Sequence, residues 1–138
     1  MAEKEPFIEK ICFPIMEDKD ELTYLYSHSD RFLVIVLKDR KDILSKEYRP
    51  NPYGKICREK YPEPTALGDK ISEEELELYR NMAEIVKDCT YVYAKNFGYY
   101  PFKALEKAGT DYIMANSEPW EKINWLIKDR AFAGFKDD

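Results

Sequence analysis

The sequence contains few of the side chains from which metal sites are usually built. Its 138 residues include one histidine, His28, and three cysteines, Cys12, Cys57 and Cys89, no two of which have CxxC spacing. An odd number of cysteines at irregular spacing is typical neither of a disulfide framework nor of a zinc site. A site of three or four His/Cys ligands would need nearly all of these residues to converge, so we do not expect one.

Other absences exclude whole classes of protein. A net charge of −5 and a pI near 5.1 do not favour the basic face that nucleic-acid binders present. No apolar run reaches the length of a membrane span, and the opening MAEKEPFIEK lacks the apolar core of a signal peptide. The chain also has no Walker motif, GxGxxG or nucleophile elbow. We therefore expect a cytoplasmic, non-catalytic protein that binds neither nucleic acid nor membranes.

The composition that is present is that of a folded protein. Hydrophobic residues make up 44% of the chain, charged residues 36% and aromatic residues 14%. This balance and length predict one globular domain over 1–138, with flexible tails at 1–9 and 131–138.

The first half of the chain has the pattern of three strands followed by a long loop. Apolar runs with β-branched residues at 10–16 and 31–37 predict two strands, and residues 43–49 are expected to pair back as a hairpin-like partner, which completes an antiparallel meander. Residues 50–71 contain four of the eight prolines and two of the five glycines. We expect this segment to be a long loop without helix or strand, and loops of such length are often functional.

The second half alternates between helix and strand signals. Ser72 and Glu75 have the spacing of a capping box, in which the Glu75 side chain returns to the Ser72 backbone, and a helix extends to near Lys87. Strands are predicted at 90–94 and 111–115. One helix is predicted to open at Pro101 and to stop at Gly109, and another to open at Ser117 with Pro119. The resulting order, β-β-β-α-β-α-β-α, predicts an α/β fold with a mixed five-stranded sheet and helices on both faces.

Several stretches resemble a known family. KICFPI, SHSDRFLVIV, PNPYG and AEIVKDCTYVYAKNFGYYPFKALEKAGTDYI resemble the NifX/NifB-type dinitrogenase iron–molybdenum cofactor biosynthesis family, over about residues 10–128. The segments AEIVKDC and ALEKAG also resemble proteins associated with the iron-only nitrogenase. The resemblance implies a three-layer, ribonuclease H-like fold and a role in nitrogen fixation. It implies a carrier or escort for the iron–molybdenum cofactor or an iron–sulfur precursor, with nitrogenase-related or cofactor-assembly proteins as partners.

Two residues are candidates to bind the metal of such a cofactor. The family's His-Phe-Gly before the second strand is here Leu25-Tyr26-Ser27, so His28 is the substitute candidate, and the alternative is a solvated loop histidine. Cys57 lies in the polar loop among cations that would lower its pKa toward the thiolate, and the alternative is an incidental surface cysteine. Cys12 and Cys89 are expected to be small core residues.

A second candidate site is the loop at 95–100. Lys95, with the backbone around Asn96, Gly98 and Tyr99, has the character of an anion site at a helix N-terminus, and the alternative is a plain turn. We expect the loops 22–30, 50–70 and 95–100 to meet at one end of the sheet. If they bind no cofactor, the alternative function is a protein–protein interaction module for a nitrogenase-related or redox partner.

Overall fold

The computed structural model describes residues 5–131 and residue 134, and in them the chain forms five strands and four helices. In chain order the elements are β1 (Ile8–Ile15), β2 (Arg31–Lys38), β3 (Asp42–Pro50), α1 (Gly54–Lys60), α2 (Glu73–Val86), β4 (Tyr91–Ala94), α3 (Tyr99–Lys107), β5 (Asp111–Met114) and α4 (Pro119–Lys128). A 3-10 turn, Tyr26–His28, lies between β1 and β2. The α/β class is confirmed, and the observed order differs from the predicted one by the additional helix α1.

The five strands form one mixed sheet in the order β3-β2-β1-β4-β5. β2 is antiparallel to both β1 and β3, whereas β4 is parallel to both β1 and β5. The meander and the parallel half therefore meet at β1. This central strand is buried along almost its whole length, because it has a neighbour on each side and apolar cover on each face.

Alternating side chains divide the core into two layers. On one face Cys12, Phe32, Val34 and Val92 pack with residues of α2 and α3, including Tyr79, Met82 and Leu105. On the other face Phe13, Leu33, Ile35 and Tyr93 pack with Ile123 and Leu126 of α4. The helices thus lie on both sides of the sheet, as the period-two pattern of the strands requires.

Strand β1 begins earlier than predicted. Ile8 and Glu9 were expected in a flexible tail, but Ile8 pairs with Lys38 of β2, and the buried Glu9 carboxylate accepts hydrogen bonds from Arg40. Pairing with a neighbouring strand has extended β1 beyond its apolar run. Of the predicted tails, residues 1–4, 132–133 and 135–138 lie outside the described residues.

The prediction that 50–71 holds no helix was wrong. Residues 53–61 contain no proline, and that gap accommodates α1 between Pro52 and Pro62. The helix turns Cys57 towards the core. The prediction failed because it considered the proline content of the whole segment, whereas the prolines lie on either side of α1 and not within it.

Helix α2 begins as predicted, but its capping box is only half formed. Ser72 Oγ accepts a hydrogen bond from the Glu75 N–H at 3.1 Å. The Glu75 carboxylate does not return to Ser72. It accepts hydrogen bonds from Thr65 N at 3.0 Å, Thr65 Oγ1 at 2.6 Å and Tyr79 OH at 2.6 Å. Because Glu75 is only 2% exposed, these bonds replace water and attach the preceding loop to α2.

The starts of α3 and α4 are also shifted. α3 begins at Tyr99 rather than Pro101 and is followed by Gly109 in the left-handed region, where the sequence predicted its end. α4 has Glu118 rather than Ser117 at its N-cap, with a reciprocal capping box to Glu121. No helix among the described residues is long and apolar enough to span a lipid bilayer.

The PNPYG segment joins α1 to the 3-10 turn. Asn51 Nδ2 donates to the Ser29 carbonyl at 2.8 Å and to Ser29 Oγ at 3.1 Å. Gly54 packs so closely that a Cβ added there would lie 1.8 Å from the Ser29 carbonyl oxygen. The segment therefore fixes the position of α1 relative to the loop that carries His28.

We expect Gly54→Ala to destabilise the protein by about 2 kcal/mol or more, because overpacking against backbone cannot be relieved by a change of rotamer. Urea unfolding followed by circular dichroism measures the loss. Lys55→Ala, at the exposed next position of α1, is the control and should change the free energy of unfolding by less than about 0.5 kcal/mol. Equal stability of the two variants would contradict the close approach.

Candidate functional site

A groove of about 940 Å³ opens at one end of the sheet, where three loops converge. Its walls are residues 16–18, 23–25, 28 and 30 from the β1–β2 connection, residues 58 and 62–64 from the β3–α2 connection, and residue 96 after β4. These are the three loops that the sequence predicted to meet. The sheet topology explains why: Arg31 at the start of β2 pairs with both Ile15 and Pro50, and β4 runs parallel to β1. Crevices outside the carboxyl ends of parallel strands are the usual ligand sites of α/β folds.

His28 lines this groove and is fixed at both its side chain and its backbone. Its Nε2 lies 3.1 Å from the Tyr61 carbonyl oxygen, which can only accept, so Nε2 carries the proton in this geometry. Arg58 Nη1 donates to the His28 carbonyl at 2.7 Å. The second ring nitrogen, Nδ1, is then the one with a lone pair for a ligand.

Arg58 and Asp30 form an ion pair at 2.7 Å beside the histidine. Asp30 also accepts a hydrogen bond from the backbone N–H of Glu17 at 3.0 Å. Both residues line the groove, and they link α1 to the β1–β2 connection. The sequence analysis did not select either as a site residue, because their pairing depends on α1, which it did not predict.

The structure contradicts the prediction for Cys57. Its side chain is 0% exposed, packs in the core on the α2 side of the sheet and is not part of the groove wall. Burial, with a smaller contribution from the Glu75 charge, raises the pKa of the Cys57 thiol to about 11, although the Arg58 charge acts in the opposite direction. A protonated, inaccessible thiol is a poor metal ligand. His28 and Cys57 therefore do not form the metal site that was predicted.

The predicted anion site at 95–100 is divided between several environments. Lys95 Nζ lies 3.2 Å from a Glu118 carboxylate oxygen, so its charge is already matched. Asn96 lines the groove and is fixed there, because its carbonyl accepts from Tyr26 N at 2.9 Å and its side chain accepts from Phe97 N at 2.8 Å.

Gly98 and Tyr99 are not part of the groove wall. Together with Asn96 they contribute to a separate cavity of about 280 Å³ near β5. Gly98 has φ +79°, a value that favours glycine, and an added Cβ would lie 3.3 Å from Pro64. Of the six predicted binding residues, the groove thus brings together His28 and Asn96.

The groove has an acidic and partly apolar wall. Glu17, Asp18 and Glu63 line it in addition to the Arg58–Asp30 pair. Met16 and Tyr24 add apolar surface, and Tyr24 is 69% exposed. The sequence analysis missed Met16 as a soft sulfur donor, because it lies at the end of a strand. Among the described residues, no three His, Cys, Asp or Glu side chains are arranged to hold a metal ion.

Comparison with known proteins identifies the fold and no closer relationship. No protein-family model matches the chain, and no curated protein matches it. A crystal structure of a Methanocaldococcus jannaschii protein named "putative dinitrogenase (MJ0327)" matches with a TM-score of 0.54 at 12% identity, covering 90% of this chain and 92% of that one. An NMR structure under the same name gives a TM-score of 0.52 at 10% identity, with 91% and 89% covered.

A third solved structure, named PH0822, has a TM-score of 0.56 at 13% identity and covers 94% of this chain and 96% of that chain. The chain is therefore similar in fold, over nearly its whole length, to proteins that include one named as dinitrogenase-related. At such identities the likeness concerns the fold alone.

The buried Cys57 thiol predicts a specific dependence of stability on pH. The folded pKa of about 11 exceeds the ordinary value of 9.0, so between these values the folded state keeps a proton that the unfolded chain loses. The stabilisation is complete below pH 9 and is lost as the pH rises to about 11. The stability advantage of the wild type over Cys57→Ala should therefore shrink over this range.

Urea unfolding of both proteins at several pH values measures this difference, and the comparison cancels the lysines and tyrosines that titrate in the same range. Between pH 7 and 8 the difference should stay constant, which is the internal control. A difference that also stays constant up to pH 11 would show that the thiol ionises as freely in the folded protein as in the unfolded one.

Proposed function

We propose that the chain is a non-catalytic binding protein that carries an iron–sulfur cofactor, or a precursor of the iron–molybdenum cofactor, as cargo in the groove. The observation that carries the proposal is the position of the chain's one histidine in a preformed groove of about 940 Å³ at the ligand-binding end of the sheet. A nitrogenase-related function is supported by the dinitrogenase name of one structural neighbour. It is also supported by the sequence segments that resemble the NifX/NifB-type family, whose members have a ribonuclease H-like fold.

The donor set supports loose rather than permanent attachment. His28 is the imidazole in the groove, Met16 adds a thioether, and the Cys57 thiol is withdrawn into the core. One coordinate bond from a histidine is readily exchanged, as an escort that releases its cargo requires. The acidic side chains of the wall repel an anionic cofactor, so we expect reversible binding that strengthens with added salt.

The arrangement around His28 favours carriage over catalysis. Its Nε2 is occupied by the Tyr61 carbonyl. The hydroxyl of the groove-lining Thr23 donates to the Leu25 carbonyl at 3.1 Å and is not paired with His28. Acyl or phosphoryl transfer would need a hydroxyl or thiol hydrogen-bonded to such a base. Partners are then the donor and acceptor of the cargo, which we propose to be nitrogenase-related or cofactor-assembly proteins.

A second candidate function is a protein–protein interaction module that binds no cofactor. The edge strand β5 favours it, since Tyr112, Ile113 and Met114 are each more than a third exposed. An exposed apolar edge can add a strand from a partner. The two functions differ in what they require of His28: the carrier depends on it, whereas the interaction module does not.

Anaerobic titration with isolated iron–molybdenum cofactor, followed by gel filtration with metal analysis, tests the carrier function. We expect equimolar co-elution with the wild type and at least about tenfold weaker binding by His28→Ala and His28→Gln. Glutamine can still donate to the Tyr61 carbonyl, so His28→Gln removes the ligand nitrogen while keeping the structural hydrogen bond.

Cys57→Ala is the matched control and should bind as the wild type does, provided that circular dichroism shows it folded. Failure of the wild type to bind would refute the carrier function and favour the interaction module. Binding that is unchanged in both His28 variants would refute the assignment of the groove.

A further inference from the structure

The two edges of the sheet differ in how well they are protected against pairing. The edge strand β3 carries four charged side chains among its nine residues, a break in register at Leu44, and Pro50 at its end. Charges, bulges and proline are the features that keep an exposed strand from adding a neighbour. The other edge strand, β5, has one charge, Asp111 at its first position, and none of the other features. The edge at β5 is therefore open to pairing.

The backbone of β5 presents hydrogen-bonding groups to this open edge at two residues. The Ala115 N–H, directly after the strand, donates to the Ala94 carbonyl of β4 at 3.0 Å. Because the backbone groups of successive strand residues point to alternate sides, those of Ile113 also face β4, and those of Tyr112 and Met114 face outwards. The described part of the chain places no strand beyond β5. An incoming strand would thus meet two N–H donors and two carbonyl acceptors.

Exposed apolar side chains surround the open edge on both faces of the sheet. Tyr112 and Met114 lie on the α3 side, where the Tyr112 ring contacts the Phe102 ring at a centroid distance of 4.9 Å. Ile113 lies on the α4 side with its register partner Tyr93. The exposed fractions of Tyr112, Ile113 and Met114 are 41%, 38% and 59%. Every side chain of β5 after the first is therefore both apolar and accessible.

Trp125 of α4 extends this apolar surface. Lys122 Nζ lies 4.6 Å from the Trp125 ring centroid and 5.3 Å from the Tyr93 ring centroid, so the indole lies on the same side of α4 as the register partner of Ile113. The indole is itself 52% exposed. A group of exposed apolar side chains around an unpaired strand is typical of a surface that a protein covers.

We propose that β5 pairs with β5 of a second copy of this chain, which gives a two-fold symmetric dimer with one continuous ten-stranded sheet. The two strands run antiparallel, as a two-fold axis perpendicular to the sheet requires. With the axis at Ile113, the outward-facing groups of Tyr112 in one copy exchange hydrogen bonds with those of Met114 in the other. Both copies use the same residues, so the contact is closed and no chain of copies follows.

The side chains of β5 are complementary to themselves in this arrangement. Across the axis Ile113 meets Ile113 on the α4 side. On the α3 side Met114 of each copy lies against the Tyr112 ring of the other, which is a favourable contact between sulfur and an aromatic ring. The cavity of about 280 Å³ that Tyr112, Met114 and Phe102 help to line lies beside this contact and offers space to the incoming methionine.

The charges near the two ends of β5 favour the antiparallel direction. Asp111 begins the strand on the α4 side, as Ile113 does. Lys95 follows directly after β4, and its Nζ lies 3.2 Å from Glu118 at the start of α4, which places it on the same side near the carboxyl end of β5. The Lys95 side chain is 31% exposed and accessible to a second carboxylate. Antiparallel pairing brings Asp111 of one copy towards Lys95 of the other, whereas parallel pairing would bring the two Asp111 side chains together.

The dimer goes beyond the carrier function and does not depend on it. The groove lies at the carboxyl end of β4, so antiparallel pairing places the two grooves at opposite ends of the joined sheet. His28 takes no part in the contact. The inference rests on the same edge strand as the interaction module and names its partner, which is a second copy of this chain.

Sedimentation equilibrium of the full-length protein over a concentration series tests the dimer. We expect a monomer–dimer equilibrium whose average mass approaches twice the 16.4 kDa of the chain. Met114→Pro removes an outward-facing N–H and no hydrogen bond to β4, so it should weaken the dimer at least about tenfold without changing the circular dichroism spectrum. Met114→Ala keeps this N–H and should weaken the dimer less. Leu44→Ala, at the exposed β3 edge, is the control and should dimerise as the wild type does.

Charges at position 113 test the register, and they decide the question even where the proline variant fails to fold. Ile113→Lys and Ile113→Asp should each be monomeric, because two like charges would meet on the axis. An equal mixture of the two should form a one-to-one heterodimer that native mass spectrometry identifies, because opposite charges then meet. Leu44→Lys is the matched control on β3 and should leave the wild-type dimer unchanged.

Three results would overturn the proposal. A wild type that stays monomeric at every concentration would refute the dimer, and if it still bound the cofactor the carrier function would stand. A dimer that persists in Met114→Pro and in both Ile113 variants would show that the copies associate through another surface. A mixture of the two Ile113 variants that stays monomeric would refute pairing about this residue.

Discussion

The approach of the Gly54 backbone to the Ser29 carbonyl determines how the groove is built. This contact and the Asn51 hydrogen bonds hold α1 against the 3-10 turn. With α1 in that position, Arg58 reaches both the His28 carbonyl and Asp30, and Tyr61 meets the imidazole. The absence of a Cβ at position 54 therefore allows the close approach that brings together residues far apart in the sequence. The junction thus combines one close backbone contact with hydrogen bonds from the Asn51 and Arg58 side chains.

The opposite wall depends on a buried carboxylate. The Glu75 carboxylate accepts hydrogen bonds from the backbone N–H and the hydroxyl of Thr65. It also accepts one from the Tyr79 hydroxyl, one turn further along the same helix. The loop from α1 to α2 is thereby attached to the protein body at a point just past the groove-lining residues 62–64. Loops as long as this one are often mobile, and this anchorage makes the segment part of the fixed structure.

Much of the fold was predictable because local signals and tertiary packing agree. The apolar run of β2, the Ser72 cap and Gly109 each specify one outcome. The failures share a cause, since α1 and the first residues of β1 are stabilised by distant partners rather than by their own pattern. The exposure of Cys57 was predicted wrongly as a direct result, since a helix turns a residue inward where a loop would leave it in water. The convergence of the three loops could be predicted from the order of the strands. The individual contacts between the loops could not, because they depend on the position of α1.

The position of β1 has a consequence for how the chain folds. Its antiparallel partner follows within about two dozen residues, but its parallel partner β4 is 80 positions away, as the pairing of Ile11 with Tyr91 shows. During synthesis the β1–β2–β3 meander can pair early. The apolar faces of the sheet that α3 and α4 cover stay exposed until the last third of the chain has been made. Pairing at such separation slows folding because a long loop must close first. Until β4 has been synthesised, the central strand therefore has only one neighbour, and its other edge is open to pairing with strands of other chains.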